Sequence, residues 1–595
     1  MIRRVLAGLV AVALVAGCSD DDPVDPTRPV GDPEPGVLRV LAGSELADLK
    51  PVLDEAAKAT GVTVKFSFTG TIDGAESVAK GQAEAGFDAV WFSSNRYLEL
   101  VPDAAKRLGT PVKVMSSPVV LGLPTSKVRE LGWDSRRVGW AEIASAAGQK
   151  KFSYGMTDPS TSNSGFSALV GIASALVGGG SALDAAGIAS VTPKLKEFFS
   201  TQTLSAGSSG WLSDAYQRRA RGEDPGGKVD GLINYESVLL SLNASGQLPE
   251  PLTLVYPSDG VVTADYPLTL LNSAGAEARG AHQRLAEYLR TPDVQRRISE
   301  VSKRRPANPQ VQLGPEFAVR DLVELPFPGS QSAVDGLITA YFDQLRRPSR
   351  TLYVLDVSGS MKGERIEGLR QAVVGLTGAD GSLSGKFSRF HGREQVTLLP
   401  FSGTPLEPSQ FTVPADAPEP VLAQIKEAAE QLDIRGDTAI YSSLRRGYDL
   451  LSSQAVDDPD RFTSIVLMTD GENTSGEDFD AFAAFHSGLS PQLKGIPVFP
   501  VLFGESSTGE MEQLATMSGG KVFDARSRAR LGVQGNPWLP VTPCCATWGR
   551  RRTSPGARAG SSVSDCTSRV SRAPTGCSWW RACTGSARWW RHRTA

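Results

Sequence analysis

Five oxygen-bearing side chains have types and positions that could serve one purpose. Asp356, Ser358 and Ser360 alternate along Asp356-Val357-Ser358-Gly359-Ser360, Thr438 follows in Arg435-Gly436-Asp437-Thr438, and Asp470 follows in Thr469-Asp470-Gly471. Two carboxylates and three hydroxyls are hard donors, a set that suits Mg²⁺, or Mn²⁺, in octahedral geometry with water retained. Zinc, which favours nitrogen and sulfur, is a poorer match. A simpler use of Asp-x-Ser-x-Ser is to cap the next helix, since Asp and Ser are favoured N-caps. Capping does not call for Thr438 and Asp470 as well. Asp437 suits a turn, and the isolated His391 and His486 suit packing or surface roles.

These residues must be positioned by the elements around them. Apolar runs at 351–357, 395–401, 464–469 and 498–503 predict strands, and amphipathic stretches at 365–376, 421–432, 440–451 and 511–517 predict helices between and after them. Strands rich in Val, Ile and Leu that alternate with helices imply a parallel sheet covered on both faces. Ligands of such sheets bind beyond the carboxyl ends of the strands, which is where Asp356 and Asp470 fall.

At this point residues 350–532 resemble the von Willebrand factor type A domains, whose metal-ion-dependent adhesion site is matched in order and in full by Asp356, Ser358, Ser360, Thr438 and Asp470. The resemblance implies a doubly wound, mostly parallel, Rossmann-like sheet. It implies direct ligation of Mg²⁺ by Ser358, Ser360 and Thr438, and ligation mainly through water by Asp356 and Asp470. It also implies one coordination position left for an acidic residue of a protein partner.

The N-terminal half has a separate α/β rhythm. Strands are predicted at 37–41, 62–68 and 89–92 and a helix at 46–59, and small hydroxyl-rich loops follow the strands. Those loops supply Ser44, Thr69, Thr71, Ser93 and Ser94, with Ser160 and Ser164 in the later Asp158-Pro159-Ser160-Thr161-Ser162-Asn163-Ser164-Gly165 segment and Tyr235 in Ile233-Asn234-Tyr235-Glu236-Ser237. Loops of this kind at helix starts offer N–H groups and hydroxyls to anions, although helix capping explains each one singly. Residues 37–329 resemble the type 2 periplasmic solute-binding proteins, particularly the branch that binds oxyanions. The resemblance implies two lobes that close on a small ligand, with Tyr235 and Glu236 near an interlobe strand. A Glu236 carboxylate facing the cleft would repel an anion. Residues 330–349 then form a connecting helix whose Leu337, Ile338, Tyr341, Phe342 and Leu345 recur at helical spacing.

The two ends read differently from the body. Arg3 and Arg4, an apolar run from Val5 to Val15 and Leu14-Val15-Ala16-Gly17-Cys18 resemble a bacterial lipoprotein leader, which implies lipidation of Cys18 and an anchor on the extracytoplasmic face of the cell membrane. Residues 19–36 read as a Pro- and Asp-rich tether. Residues 533–595 carry ten Arg against one acidic residue, five of the six Cys and six of the ten Trp, and they read as an out-of-frame, disordered tail.

With that +9 segment set aside, the net charge of -3 becomes -12 for residues 1–532, which argues against a nucleic-acid partner. No cysteine lies between Cys18 and Cys544, so a metal in the body must use oxygen or histidine. No nucleophile–base pair and no phosphate loop is legible, which predicts a binding protein rather than an enzyme. The expected function is a lipid-anchored binding protein that engages an acidic residue of a protein partner through Mg²⁺, with the first domain as sensor or second recognition surface. The alternatives are the solute receptor of an ABC-type importer and an assembly factor for a membrane complex.

Overall fold

The computed structural model describes residues 34–525 apart from 179, 181, 459 and 504–507. Cys18 with its leader, most of the tether and the 533–595 tail lie outside the described residues.

Two sheets build the N-terminal half. The first runs Thr63–Phe68, Val37–Ala42, Ala89–Trp91, Pro267–Leu271, Leu108–Lys113. Its first three strands are parallel, and Pro267–Leu271 is antiparallel to both of its neighbours. The second runs Thr263–Ala264, Met115–Pro124, Gly231–Tyr235, Tyr154–Thr157, Gln202–Ala206, with Leu252–Val255 and Arg305–Pro306 also paired to Met115–Pro124. The chain therefore crosses between lobes at Val114 and returns at Asp265-Tyr266, where Tyr266 adopts a left-handed φ of 41°. A third crossing, just before Arg305–Pro306 of the second sheet, completes a two-lobed clamp.

The first helix departs from the predicted 46–59. A 3₁₀ turn, Ser44–Leu49, precedes an α-helix, Lys50–Thr60. Pro51 explains the break: it lacks an N–H and is tolerated only in the first turn of an α-helix, so the α-helix begins there.

The C-terminal half is one six-stranded sheet ordered Ser409–Thr412, Gln395–Phe401, Ser349–Asp356, Phe462–Thr469, Val498–Leu502, Phe523–Asp524. All pairs are parallel except the edge strand Ser409–Thr412. Side-chain alternation feeds two cores. Leu352 and Val354 pack on one face with Ile440, Leu444 and Phe482. Leu355 and Val357 pack on the other with Leu369, Leu422 and Ile425.

The connecting helix, Gln331–Ala340, is capped by Ser330 Oγ, which accepts from Ala333 N at 3.2 Å, and it ends in a π turn, Tyr341–Leu345. Leu337, Ile338, Tyr341, Phe342 and Leu345 are all buried in the core of the first half. The 380–391 loop of the second half joins them: Phe387 belongs to that core, and His391 stacks on Phe342 at 4.5 Å. On the far side Trp211 meets Phe499 and Phe523 edge-on, each at 6.1 Å.

Candidate metal centre

Adjacent parallel strands bring the two acidic ends together. Ser349–Asp356 pairs with Phe462–Thr469 in the register Leu355↔Met468, so Asp356 and Thr469 end side by side with Asp470 next along. Asp356 is fully buried, and burial pushes its carboxyl above the usual carboxylate range while bonds from Thr469 and Ser358 pull it back. Thr469 Oγ1 donates to Asp356 Oδ2 at 2.6 Å, and Ser358 N donates to Asp356 Oδ1 at 2.9 Å.

The hydroxyls converge from two loops. Ser358 Oγ and Ser360 Oγ lie 3.0 Å apart, and Ser360 Oγ donates to Asp470 Oδ1 at 2.8 Å. Gly359 N bonds Gly436 O at 2.9 Å and Arg435 N bonds Val357 O at 2.7 Å, which docks the Thr438 loop against the first. Thr438 N in turn donates to Thr474 Oγ1 at 2.9 Å. A Cβ placed on Gly471 would stand 3.5 Å from Ser360 Oγ and 4.0 Å from Thr438 Oγ1. The glycine therefore leaves open the small space that both hydroxyls border.

The five residues singled out in the sequence thus form one cluster, in which Ser358, Thr438 and Asp470 are buried and Ser360 is exposed. Among the described residues no group of three or more His, Cys, Asp or Glu is arranged to hold a metal, so a cation here would depend on the hydroxyls. The donor set fits Mg²⁺ or Mn²⁺. A cation bound here would take Ser358, Ser360 and Thr438 as its direct donors, while the carboxylates, already engaged by hydrogen bonds, would act through water.

Sequence reasoning missed Thr469 and Arg365. Thr469 was legible as the residue opposite Asp356 once the register is drawn. Arg365 donates through Nη1 to Asp470 Oδ2 and to Ser360 O. Its signal was a cation in the first turn of a helix, where the dipole disfavours it and an acidic partner is needed.

In the first half the hydroxyl loops fall into groups. Ser93 and Tyr235 meet across the lobes, with Tyr235 Oη donating to Ser93 Oγ at 3.1 Å and accepting from Asn163 Nδ2 at 3.0 Å. Thr71 and Ser160 line one narrow gap of about 10 Å³ with Tyr97, Thr161, Asn163 and Phe166. Ser164 is turned into the lobe, bonded to Thr157 and Ser209 at 2.8 Å each. Ser94 Oγ accepts from Arg96 N at 3.3 Å in a local turn. Ser44 is half-buried on the 3₁₀ turn, and Thr69 is buried after its strand, where its N–H bonds Ala42 O.

Glu236 does not threaten an anion in the cleft. It is fully buried and held by Arg305, whose Nε and Nη2 donate to its two oxygens at 2.7 Å each. The carboxyl near Ser93 is Glu45, which sequence reasoning passed over. Burial pushes it above the usual range, although its own backbone amide, Arg304 and Ser93 pull it back.

The connecting helix touches both lobes. Tyr97 Oη of the first lobe donates to Asp335 at 3.1 Å, and Tyr341 Oη donates to Gln202 Oε1 of the second at 3.0 Å. Leu383 N, in the second half, also donates to Glu76 Oε2 of the first lobe at 3.0 Å.

Comparison with known proteins agrees with these two halves. Residues 38–300 match the family described as bacterial extracellular solute-binding protein, and residues 352–533 match the von Willebrand factor type A domain. Curated relatives include inter-alpha-trypsin inhibitor heavy chain H4 of Sus scrofa, 29% identical over 182 residues, 29% of this chain and 18% of that protein. Heavy chain H3 of Homo sapiens is 26% identical over 171 residues, 28% of this chain and 18% of that protein. The chain thus spans about a fifth of the length of the curated relatives it matches. Similar solved structures include the periplasmic binding protein AfuA from Actinobacillus pleuropneumoniae, 13% identical over 52% of this chain and 99% of that one, TM-score 0.41. Iron-bound HitA from Pseudomonas aeruginosa is 16% identical over 50% of this chain and 95% of that one, TM-score 0.38.

Proposed function

We propose that this chain, a bacterial extracellular solute-binding domain followed by a von Willebrand factor type A domain, is a non-catalytic extracytoplasmic binding protein that engages a carboxylate of a protein partner through Mg²⁺ or Mn²⁺. The observation that carries this reading is the convergence of Ser358, Ser360 and Thr438 with two buried carboxylates on one rim, Ser360 facing solvent. Asp356 and Asp470 are each fixed by hydrogen bonds that orient the hydroxyls around them. A cation held with few direct carboxylates stays electrophilic and open to an outside carboxylate. Ser360 and the Thr438 loop would flank that incoming group.

The solute-binding domain supplies a sensor or a second recognition surface. Contacts from the connecting helix to both lobes support this role over that of a free receptor, because relative movement of the lobes strains the bonds at Asp335 and Tyr341. The match to a solute-binding family favours a small ligand in the same cleft, and so keeps the importer receptor as a second reading. Lipidation at Cys18 would hold the protein at the membrane. No described helix is long and apolar enough to cross one.

Immobilised full-length chain should capture a membrane-extract partner in Mg²⁺ and release it in chelator, and Asp356→Ala should not capture it. Retention in chelator, or by the variant, would overturn the metal-mediated reading. Thermal unfolding with oxyanions, sugars and amino acids tests the receptor reading, since a ligand at about 100 times its Kd stabilises by about 2.7 kcal/mol.

A further inference from the structure

The rim of the hydroxyl cluster carries a fixed positive charge that the reading above does not use. Arg365 lies in the first turn of the helix Glu364–Val374, preceded by Gly363. Its Nη1 reaches Ser360 O at 3.2 Å and also pairs with Asp470 Oδ2. The other oxygen of the same carboxylate accepts from Ser360 Oγ. The Asp470 side chain is fully buried whereas that of Arg365 is 41% exposed, so the guanidinium lies between the carboxylate and solvent.

Two consequences follow from charge alone. A divalent cation held by Ser358, Ser360 and Thr438 shares Asp470 with a guanidinium, and the two positive charges repel, which weakens the hold on the cation. An anion arriving at the exposed Ser360 side meets both charges and relieves that repulsion. The planar fork of an arginine matches a carboxylate, which it can hold while another oxygen of the same group faces the cation.

We propose that Arg365 is the second half of the acid-recognition site: it competes with the cation for Asp470, and it pairs with the partner's carboxylate when cation and acid are bound together. The proposal rests on the metal reading above. It makes cation and acid binding cooperative, and by linkage each tightens the other by the same factor. The selected partner group is a carboxylate with two free oxygens, so a neutral amide in its place gains nothing from Arg365.

The test is calorimetric titration of Mn²⁺ into the full chain, alone and with saturating acetate or acetamide, for wild type, Arg365→Gln and Arg365→Lys. Circular dichroism checks that the variants, changed at a half-exposed position, are folded. Acetate, but not acetamide, is expected to tighten Mn²⁺ binding of wild type several-fold. Arg365→Gln is expected to bind Mn²⁺ about tenfold more tightly without acetate, about 1.4 kcal/mol, and to lose most of the acetate effect. Arg365→Lys keeps the charge without the fork, so it should hold Mn²⁺ as weakly as wild type and respond less to acetate. Mn²⁺ affinity that is equal or weaker in Arg365→Gln, or an undiminished acetate effect, overturns the proposal while leaving the metal site standing. A wild-type chain that takes up no Mn²⁺ overturns the metal reading and this inference with it.

Discussion

Thr469 Oγ1 donates to Asp356 Oδ2 at 2.6 Å, tying the carboxyl ends of two adjacent parallel strands. Ser358 N holds the other oxygen, so the Asp356 carboxylate has one orientation fixed by the fold. The loop from Val357 to Met361 is shaped around it, and the hydroxyls that would face a cation are positioned by that loop.

Thr469→Val keeps the shape of the side chain and removes this bond. A hydrogen bond to a charged group contributes about 1.5–3 kcal/mol, and denaturant unfolding should register a loss of that order. Mn²⁺ affinity should fall with it. Unchanged stability and affinity would mean that Asp356 is held by Ser358 alone.

Beside the lobe crossings, Arg305 and Glu236 form a buried ion pair. Arg305 sits in a two-residue strand paired to Ser116, two residues beyond the crossing at Val114, and Tyr256 Oη also donates to Glu236. Removing one partner of a buried pair strands the other charge, so Arg305→Ala should cost about 3–5 kcal/mol. The double variant Arg305→Met with Glu236→Gln should recover much of that loss, as chemical denaturation can show.

The junction between the halves should weaken in acid. Burial raises the Asp343 carboxyl, but the bond and charge of His391, the Gly392 N–H and Arg389 outweigh burial and hold it below the usual range. A carboxyl depressed in the folded state contributes stability above its unfolded pKa, and that contribution is lost as pH falls through the folded value. Asp343→Asn should therefore flatten the fall in stability below about pH 4, the ordinary Asp range. An identical acid-unfolding profile would remove Asp343 from the junction's energetics.

Glu45 has the opposite sign. Its carboxyl is raised, so its contribution is present below the unfolded pKa and is lost as pH rises through the folded value. Glu45→Gln should make the first half more stable relative to wild type as pH rises above the ordinary carboxylate range. Thermal unfolding from pH 5 to 8 checks this, and a variant less stable than wild type throughout would show that Arg304 outweighs the burial of the carboxylate.

Much of this organisation was legible in the sequence, and the exceptions have physical reasons. The strand Gln395–Phe401 coincides with its apolar run, and Ser349–Asp356 and Phe462–Thr469 begin only two residues before theirs. Buried central strands announce themselves because both faces are apolar. The edge strand Ser409–Thr412 did not, since a short, largely exposed strand has no such run. The cluster of Asp356, Ser358, Ser360, Thr438 and Asp470 was readable because its members lie in short motifs at strand ends. The clamp was readable only as loops: whether Ser164 faces a cleft or packs against Thr157 and Ser209 depends on how the helix starting at Asn163 is rotated, which hydroxyl content does not encode. Pairing between distant residues, as of Glu236 with Arg305, leaves no local pattern.

The central claim is that Ser358, Ser360 and Thr438, with Asp356 and Asp470 behind them, hold a divalent cation. Mn²⁺ uptake by the full chain, followed by the loss of the free-ion paramagnetic resonance signal, tests it most directly. The account expects one Mn²⁺ per chain, displaced by Mg²⁺, with binding lost in Asp356→Ala and strongly weakened in Thr438→Ala. No uptake by the wild-type chain, or equal uptake by Asp356→Ala, would contradict it.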